Sequence, residues 1–260
     1  MSVHPEHARL VGEVRGWCTT PEPRIGHRVE RRRFGYYYRI VEDRTNRVTV
    51  ENLSPSDVPG FLEDVRGYFG GQPVQIYVDD IEADRALDRF LIAAGCVRGP
   101  AMVYLDHVGE VPTAPVVQGM RTDPVTETNL REFIATRLRG FRDSEAEPPA
   151  GEVDEEAARR LAAMAAGSLF CIARLDSTTA AVLGWRDGKD RFGFQLATRT
   201  PFRGRGIATA LLCRVLTDAY RGGCASVIIN TDPAGLAIRL YRRLGFVDEV
   251  YWRRRYVLEG

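Results

Sequence analysis

The sequence lacks the cysteine pattern of a disulfide framework or a zinc site. Its five cysteines are scattered along 260 residues, and none forms a Cys-x-x-Cys pair. This argues against both classes, and we expect Cys171 and Cys213, which lie in apolar patterns, to be small core residues. Histidine is also scarce. The chain has four histidines, and all of them precede residue 110. The C-terminal half therefore has no local histidine for a Cys-His or Ser-His nucleophilic site.

Long apolar runs and a dominant charge are also missing. No apolar run approaches the ~20 residues of a spanning helix, and the N-terminus has no basic-then-apolar leader, so we expect a cytoplasmic protein without a membrane partner. Lysine and arginine total 36 and aspartate and glutamate 35, a formal net charge of +1. Such a balance argues against nucleic acid as a partner. What remains is a soluble globular chain that is 44% hydrophobic, with room for one large or two small domains.

Alternating strand and helix patterns predict an α/β fold with a mixed sheet. Residues 1–30 have no sustained period and are predicted to be a lead-in. Residues 31–108 follow in the order β-β-α-β-α-β, with helices at 58–69 and 85–94. Prolines and glycines mark residues 109–118 as a linker. Residues 119–260 then give the order β-α-α-β-β-β-α-β-α-β.

The two halves look related. Residues 89–97 align with residues 239–247 at a constant offset of 150 (239 − 89), and each segment follows a helix, a strand and an aspartate-bearing loop. This pattern favours an internal duplication in which the first copy has lost its opening elements.

One strand, loop and helix dominate the second half. Phe192, Phe194 and Leu196 alternate as in a half-buried strand, and apolar residues recur at helical spacing from Ile207. Between them stands Arg203-Gly-Arg-Gly206. Unpaired N–H groups and a positive dipole favour an anion at a helix start, and glycine permits close approach. The segment is interpreted as a phosphate cradle; an ordinary turn or a fragment of an RNA-binding arginine–glycine segment are the alternatives.

Residues 198–208 resemble the acyl-CoA signature of the GNAT superfamily of N-acyltransferases. Arg203, Gly206 and Ala208 match its Arg/Gln-x-x-Gly-x-Gly/Ala core, and residues 237–246 resemble the second signature, in the family's order and with one strand between them. The resemblance covers 117–260 well and 36–108 weakly. It implies two GNAT-like domains, a truncated and degenerate one at 31–108 and a complete catalytic one at 119–260.

The resemblance also implies the site. Acetyl-CoA, or another acyl-CoA, would be the co-substrate, and no metal is implied. Tyr241 matches the tyrosine that donates a proton to the leaving sulfur. A backbone N–H near Leu196 or Ala197 would polarise the thioester carbonyl. The implied cofactor-binding residues are Leu196, Ala197, Thr198, Arg203, Gly204, Arg205, Gly206, Ile207, Ala208 and Thr209.

The implied activity is transfer of an acetyl or other short acyl group to a primary amine of a small molecule, by a monomer or a homodimer. An acyl donor held on an acyl carrier protein and a non-catalytic acyl-CoA-binding module are the alternatives. The first half has no arginine–glycine loop, and Leu91 stands where Tyr241 stands, so one acyl-CoA site is predicted. Ala234 replaces the asparagine that the family's second signature usually has.

An acidic stretch leaves two interpretations open. Seven carboxylates occur between residues 143 and 156 without a basic residue. They form either a rim that attracts a cationic amine or solvated charges of a loop and a helix start. The residues are Asp143, Glu145, Glu147, Glu152, Asp154, Glu155 and Glu156.

Overall fold

The structure is a computed structural model, and it describes residues 27–40, 45–51, 53–79, 85–165, 167–187 and 191–260. Most of the predicted lead-in, residues 1–26, lies outside these ranges. The described residues form two compact units. The first runs to Tyr104 and includes Thr231–Gly235 and Glu249–Gly260; the second comprises Leu105–Asn230 and Leu236–Asp248. The chain's end thus belongs to the first unit, whereas the sequence-based division places it with the second.

Twelve strands and six α-helices lie in the described ranges. The strands are β1 (His27–Arg32), β2 (Gly35–Ile40), β3 (Thr45–Val50), β4 (Val74–Asp79), β5 (Val97–Arg98), β6 (Met102–His107), β7 (Met120–Pro124), β8 (Ser168–Leu175), β9 (Thr178–Asp187), β10 (Arg191–Thr198), β11 (Val227–Thr231) and β12 (Phe246–Leu258). The helices are α1 (Val58–Phe69), α2 (Arg85–Ala93), α3 (Leu130–Arg142), α4 (Ala150–Ala165), α5 (Ile207–Arg221) and α6 (Ala237–Arg243). The predicted mixed α/β class is confirmed.

The first unit packs two helices on a twisted sheet. Its strand order is β1-β2-β3-β4-β12, in which β3 and β4 pair in parallel and the other neighbours pair antiparallel. Alternate side chains of a strand share one face, so Val48 of β3 and Ile76 of β4 point into the same core. Phe61 and Val65 of α1 and Leu91 of α2 cover that face, and all five side chains are fully buried.

The second unit carries the strand–loop–helix segment singled out by the sequence. Its strands β7 to β11 lie side by side in sequence order, antiparallel except for the parallel pair β10–β11. Phe133 and Ile134 of α3 pack with Phe170 and Ile172 of β8, and Val153 of α4 joins them. The rings of Phe133 and Phe170 meet edge to face at 5.0 Å. This packing anchors α3 across the sheet.

The carboxyl group of Asp106 is buried near the end of β6. Asp106 is 8% exposed, and its Oδ1 has no hydrogen-bond donor in the described ranges. Burial raises the pKa of Asp106 from 3.8 to about 6, against the effect of a hydrogen bond from Ser226. The neighbouring His107 bonds the hydroxyl of Tyr220 at 2.8 Å, and burial lowers the pKa of its imidazole.

Asp106→Asn is expected to stabilise the protein in a pH-dependent way. Because the folded pKa of Asp106 lies above the unfolded one, the ionised carboxylate lowers stability as pH rises from ~4 to ~6, by about 2–3 kcal/mol in all. Urea unfolding should show a gain of about 2 kcal/mol at pH 7.5 and under about 1 kcal/mol at pH 4. Asp218→Asn, at an exposed carboxylate, is the control. Equal gains for Asp106→Asn at both pH values would contradict this reasoning.

Candidate active site

The strand β10 separates from its neighbour halfway along its length. It pairs with β9 through Thr198, but with β11 only from Arg191 to Gly193. A register shift follows Gly193, at the position of Phe194. Beyond this bulge, no strand in the described ranges pairs with the edge of β10 that faces β11. The N–H and C=O groups on that edge are therefore available to an extended ligand, which would bind as an added strand.

The loop after β10 ends in a run of unpaired backbone N–H groups. Gly204 (φ 73°) and Gly206 (φ 80°) both adopt the left-handed conformation that favours glycine. The N–H groups of residues 204–209 have no acceptor in the described part of the chain, and Ala210 is the first to bond, to the carbonyl of Gly206. The N–H of Arg203 is donated to the carbonyl of Thr200. Six successive donors at the start of α5 are therefore available to an anion.

The side chain of Arg203 braces this loop. Its Nε donates to the carbonyl of Thr198 at 3.0 Å, and its Nη2 donates to the carbonyl of Gly140 at 2.7 Å. The same guanidinium pairs with Asp143. One cation thus joins the end of β10 to the end of α3, so Arg203 supports the loop through its side chain.

Gly140 brings α3 directly onto the backbone of β10. A Cβ added there would lie 3.0 Å from the Cβ of Ala197 and 3.3 Å from the nitrogen and oxygen of Thr198. Such approaches are closer than normal van der Waals contact. Glycine at this position thus lets α3 pack closely on the unpaired part of β10, where a methyl group would require a neighbour to shift.

Tyr241 lies on a separate helix, α6. Its side chain is 5% exposed, and its ring packs against Phe246 with centroids 6.0 Å apart. In the described ranges no group hydrogen-bonds its hydroxyl. Burial raises the pKa of Tyr241 to about 12, so the hydroxyl keeps its proton at neutral pH. It can therefore serve as a proton donor.

Comparison with known families identifies this arrangement. Residues 166–248 match the family model of the acetyltransferase (GNAT) domain. The matched region contains β10, the loop, α5 and the helix of Tyr241, and it confirms the resemblance found in the sequence.

Solved structures show that the GNAT fold extends over both units. A GCN5-related N-acetyltransferase from Kribbella flavida covers 98% of this chain, which covers 96% of that one, with a TM-score of 0.67 at 17% identity. A second such protein, from Sphaerobacter thermophilus, gives 0.64 at 17% identity, with 90% and 76% coverage. A tandem GNAT protein from the clavulanic acid biosynthesis pathway gives 0.63 at 14% identity, with 96% and 87% coverage. The predicted tandem arrangement is therefore confirmed at the level of the fold.

Arginines neutralise the acidic stretch of the second unit. Each of its seven carboxylates has an arginine partner: Asp143 with Arg203, Glu145 with Arg199, Glu147 with Arg139, Glu152 with Arg142, Asp154 with Arg131, Glu155 with Arg159, and Glu156 with Arg160. Burial alone would raise the pKa of Glu156, but its arginine neighbours lower it. The pairs tie α4 and the preceding loop to α3 and to the end of β10, and this arrangement favours the structural interpretation of the stretch.

Sequence reasoning missed two features of this site. The brace from Arg203 and the contact at Gly140 join residues about 60 positions apart, and no local pattern marks either. In the described ranges, no three histidine, cysteine, aspartate or glutamate residues cluster as metal ligands, and no helix is long and apolar enough to cross a membrane.

Gly140→Ala is expected to destabilise the chain by about 1–3 kcal/mol through overpacking. The matched control is Gly151→Ala in α4, where nothing lies within 4 Å of the new methyl group. That change should stabilise by about 0.5–1 kcal/mol, because alanine is the better helix former. Urea unfolding of both variants measures the contrast. A stabilising Gly140→Ala would show that α3 is not held against β10 by this contact.

Proposed function

We propose that this protein is an acyl-CoA-dependent N-acyltransferase that transfers an acetyl or other short acyl group to a primary amine of a small molecule. The observation that carries the proposal is the open edge of β10, followed after the turn at Thr200–Phe202 by the six unpaired N–H groups of residues 204–209. An extended arm ending in a pyrophosphate has the complementary shape and charge.

The strand β10 and the loop after it bind different parts of acyl-CoA. The edge of β10 from Leu196 to Thr198 orients the pantetheine arm by backbone hydrogen bonds. The N–H groups from Gly204 to Thr209 bind the pyrophosphate, and the brace from Arg203 keeps them convergent. A backbone N–H near Leu196 or Ala197 polarises the thioester carbonyl. Acetyl-CoA itself supplies the acyl group as a thioester.

Tyr241 holds the proton that completes the reaction. The amine nitrogen bonds to the acyl carbon, the carbon–sulfur bond breaks, and the phenol gives its proton to the departing sulfur. Because burial raises the pKa of Tyr241 to about 12, its hydroxyl stays protonated throughout the neutral pH range. The attacking nitrogen then loses a proton. Water carries this proton to the phenolate of Tyr241 and restores the phenol.

Free CoA is the favoured form of the donor. Carrier-bound phosphopantetheine has a single phosphodiester, whereas the six N–H groups of the loop can satisfy a pyrophosphate with its additional oxygens. The arginine-paired acidic stretch gives no excess negative charge, so we assign it no role in attracting the amine.

Thiol release from acetyl-CoA, measured with a panel of small primary amines, tests the activity. At least one amine should accelerate release above hydrolysis, and its acetylated product should appear by mass spectrometry. Binding of acetyl-CoA without acceleration by any amine would instead support a non-catalytic acyl-CoA-binding module.

Tyr241→Phe should lower kcat on the order of 10²-fold, with little change in the KM for acetyl-CoA, because only the proton donor is removed. Tyr220→Phe is the matched control: it deletes a partly buried hydroxyl that bonds His107 and should leave kcat unchanged. A kcat for Tyr241→Phe equal to that of the control would assign the proton to another donor.

A further inference from the structure

A cleft of about 530 Å³ opens in the second unit beyond the end of β10. It is bounded by α3, the start of α4, the turn between β8 and β9, and the residue that follows β10. The charged side chains among its described lining are Arg131, Glu132, Arg139, Glu147 and Arg199. Thr136, Ser177, Thr178 and Thr179 add four hydroxyl groups.

The cleft is separate from the proposed acyl-transfer position. Neither the open edge of β10, nor residues 203–209, nor Tyr241 is among its described lining residues. Arg199 follows Ala197 by two residues and Leu196 by three, or about 7 and 10 Å along an extended strand. The described lining of this cleft thus does not include the residues proposed to bind the acyl donor.

Two arginines of the cleft are largely shielded from solvent. Arg199 donates from Nη1 to the carbonyl of Thr179 at 3.0 Å, and its guanidinium lies 5.3 Å from the ring centroid of Phe202. Arg139 projects from α3, and its Nε is buried without an acceptor in the described ranges. Their side chains are only 17% and 19% exposed. Arg199 is thus held independently of Glu145, and Arg139 is a second, largely buried cation of the same cleft.

The carboxylates that face these arginines are held much less firmly. Glu145 pairs with Arg199 and Glu147 pairs with Arg139, and their side chains are 37% and 71% exposed. Both belong to the loop between α3 and α4. Exposed ion pairs add little stability, whereas a bidentate oxyanion on a fixed guanidinium binds more strongly. An incoming anion can therefore replace them.

Glu132, the remaining carboxylate of the cleft, is already neutralised. Both of its oxygens accept hydrogen bonds from Arg174, and one also accepts from Thr179. The hydrogen bonds from Arg174 are the main cause of the lowered pKa of Glu132. It therefore offers little repulsion to an anion bound at the opposite wall.

We propose that this cleft binds a small oxyanion with two negative charges, for which Arg199 and Arg139 release Glu145 and Glu147. The dianion can be a phosphate group or a dicarboxylate. The hydroxyls of Ser177 and Thr178 supply further donors. Because the proposal concerns anion binding by arginines, it does not depend on acyl transfer.

Calorimetric titration of the full chain with inorganic phosphate and with succinate tests this site. At least one should bind, and Arg199→Gln and Arg139→Gln should each raise its Kd by at least about tenfold, as expected for loss of a charge-assisted hydrogen bond. Arg142→Gln is the matched control, on the same helix but paired with Glu152 outside the cleft. Failure of both anions to bind, or an equal loss in the control, would overturn the proposal.

A charge-matched pair of double variants gives a second test that does not remove an arginine. Glu145→Gln with Glu147→Gln should tighten anion binding several-fold, because it removes the carboxylates that compete for Arg199 and Arg139. Glu152→Gln with Glu155→Gln removes the same charge elsewhere and should tighten it less. Equal tightening of anion binding in the two double variants would mean that only net charge matters, and it would contradict a specific site.

Comparing CoA with dephospho-CoA identifies the source of the dianion. If CoA binds more tightly and Arg199→Gln abolishes that advantage, the 3′-phosphate of CoA occupies the cleft. If the two bind alike, and phosphate or succinate still binds to CoA-saturated protein, the cleft takes an independent anion. Both results support the site, and they remain interpretable if no amine is ever acetylated.

Discussion

The separation of β10 from β11 after Gly193 is the constraint on which the site depends. A continuous parallel pair would use the backbone groups of Leu196 to Thr198 within the sheet and leave nothing for a ligand. The bulge ends that pairing, while β9 still holds the other edge of β10. An exposed strand edge normally invites unwanted pairing. Here the unpaired groups of β10 lie close in sequence to the loop proposed to bind the pyrophosphate. The exposed edge is therefore available to a ligand.

Arginine–carboxylate pairs keep this open edge in position. Gly140 lets α3 approach β10, and Arg203 joins the two by hydrogen bonds to both backbones. The loop after α3 then supplies carboxylates to Arg203, Arg199 and Arg139. The negative charge of residues 143–156 is therefore balanced by nearby arginines in the folded chain. The same balance leaves fixed guanidiniums beside a cleft, which is why that cleft suits an anion better than a cationic amine.

The sequence predicts the local features of the fold well, and the site residues to which it points stay predictions. α1 was predicted with its observed bounds, and the helix start at Ile207 follows from its apolar spacing. The loop was recognisable because glycine conformation and unpaired N–H groups are properties of neighbouring residues. β1 was missed because His27–Arg32 is mostly charged and lies in a stretch without periodicity, and β5 because two residues carry no pattern.

Long-range features were beyond sequence reasoning. The contact of Gly140 with Thr198 and the ion pairs of the acidic stretch depend on how α3 crosses the sheet, which no local period reveals. The last strand is a similar case, since its pairing with β4 assigns the chain's end to the first unit.

Hydrogen exchange by mass spectrometry, with and without acetyl-CoA, tests the central claim most directly. Amides that lack a protein acceptor exchange quickly, and a bound ligand that accepts their hydrogen bonds slows them. The account predicts protection concentrated in residues 194–209, with no comparable segment in residues 31–108. Unchanged exchange at 204–209 under saturating acetyl-CoA, or equal protection in the first unit, would contradict it.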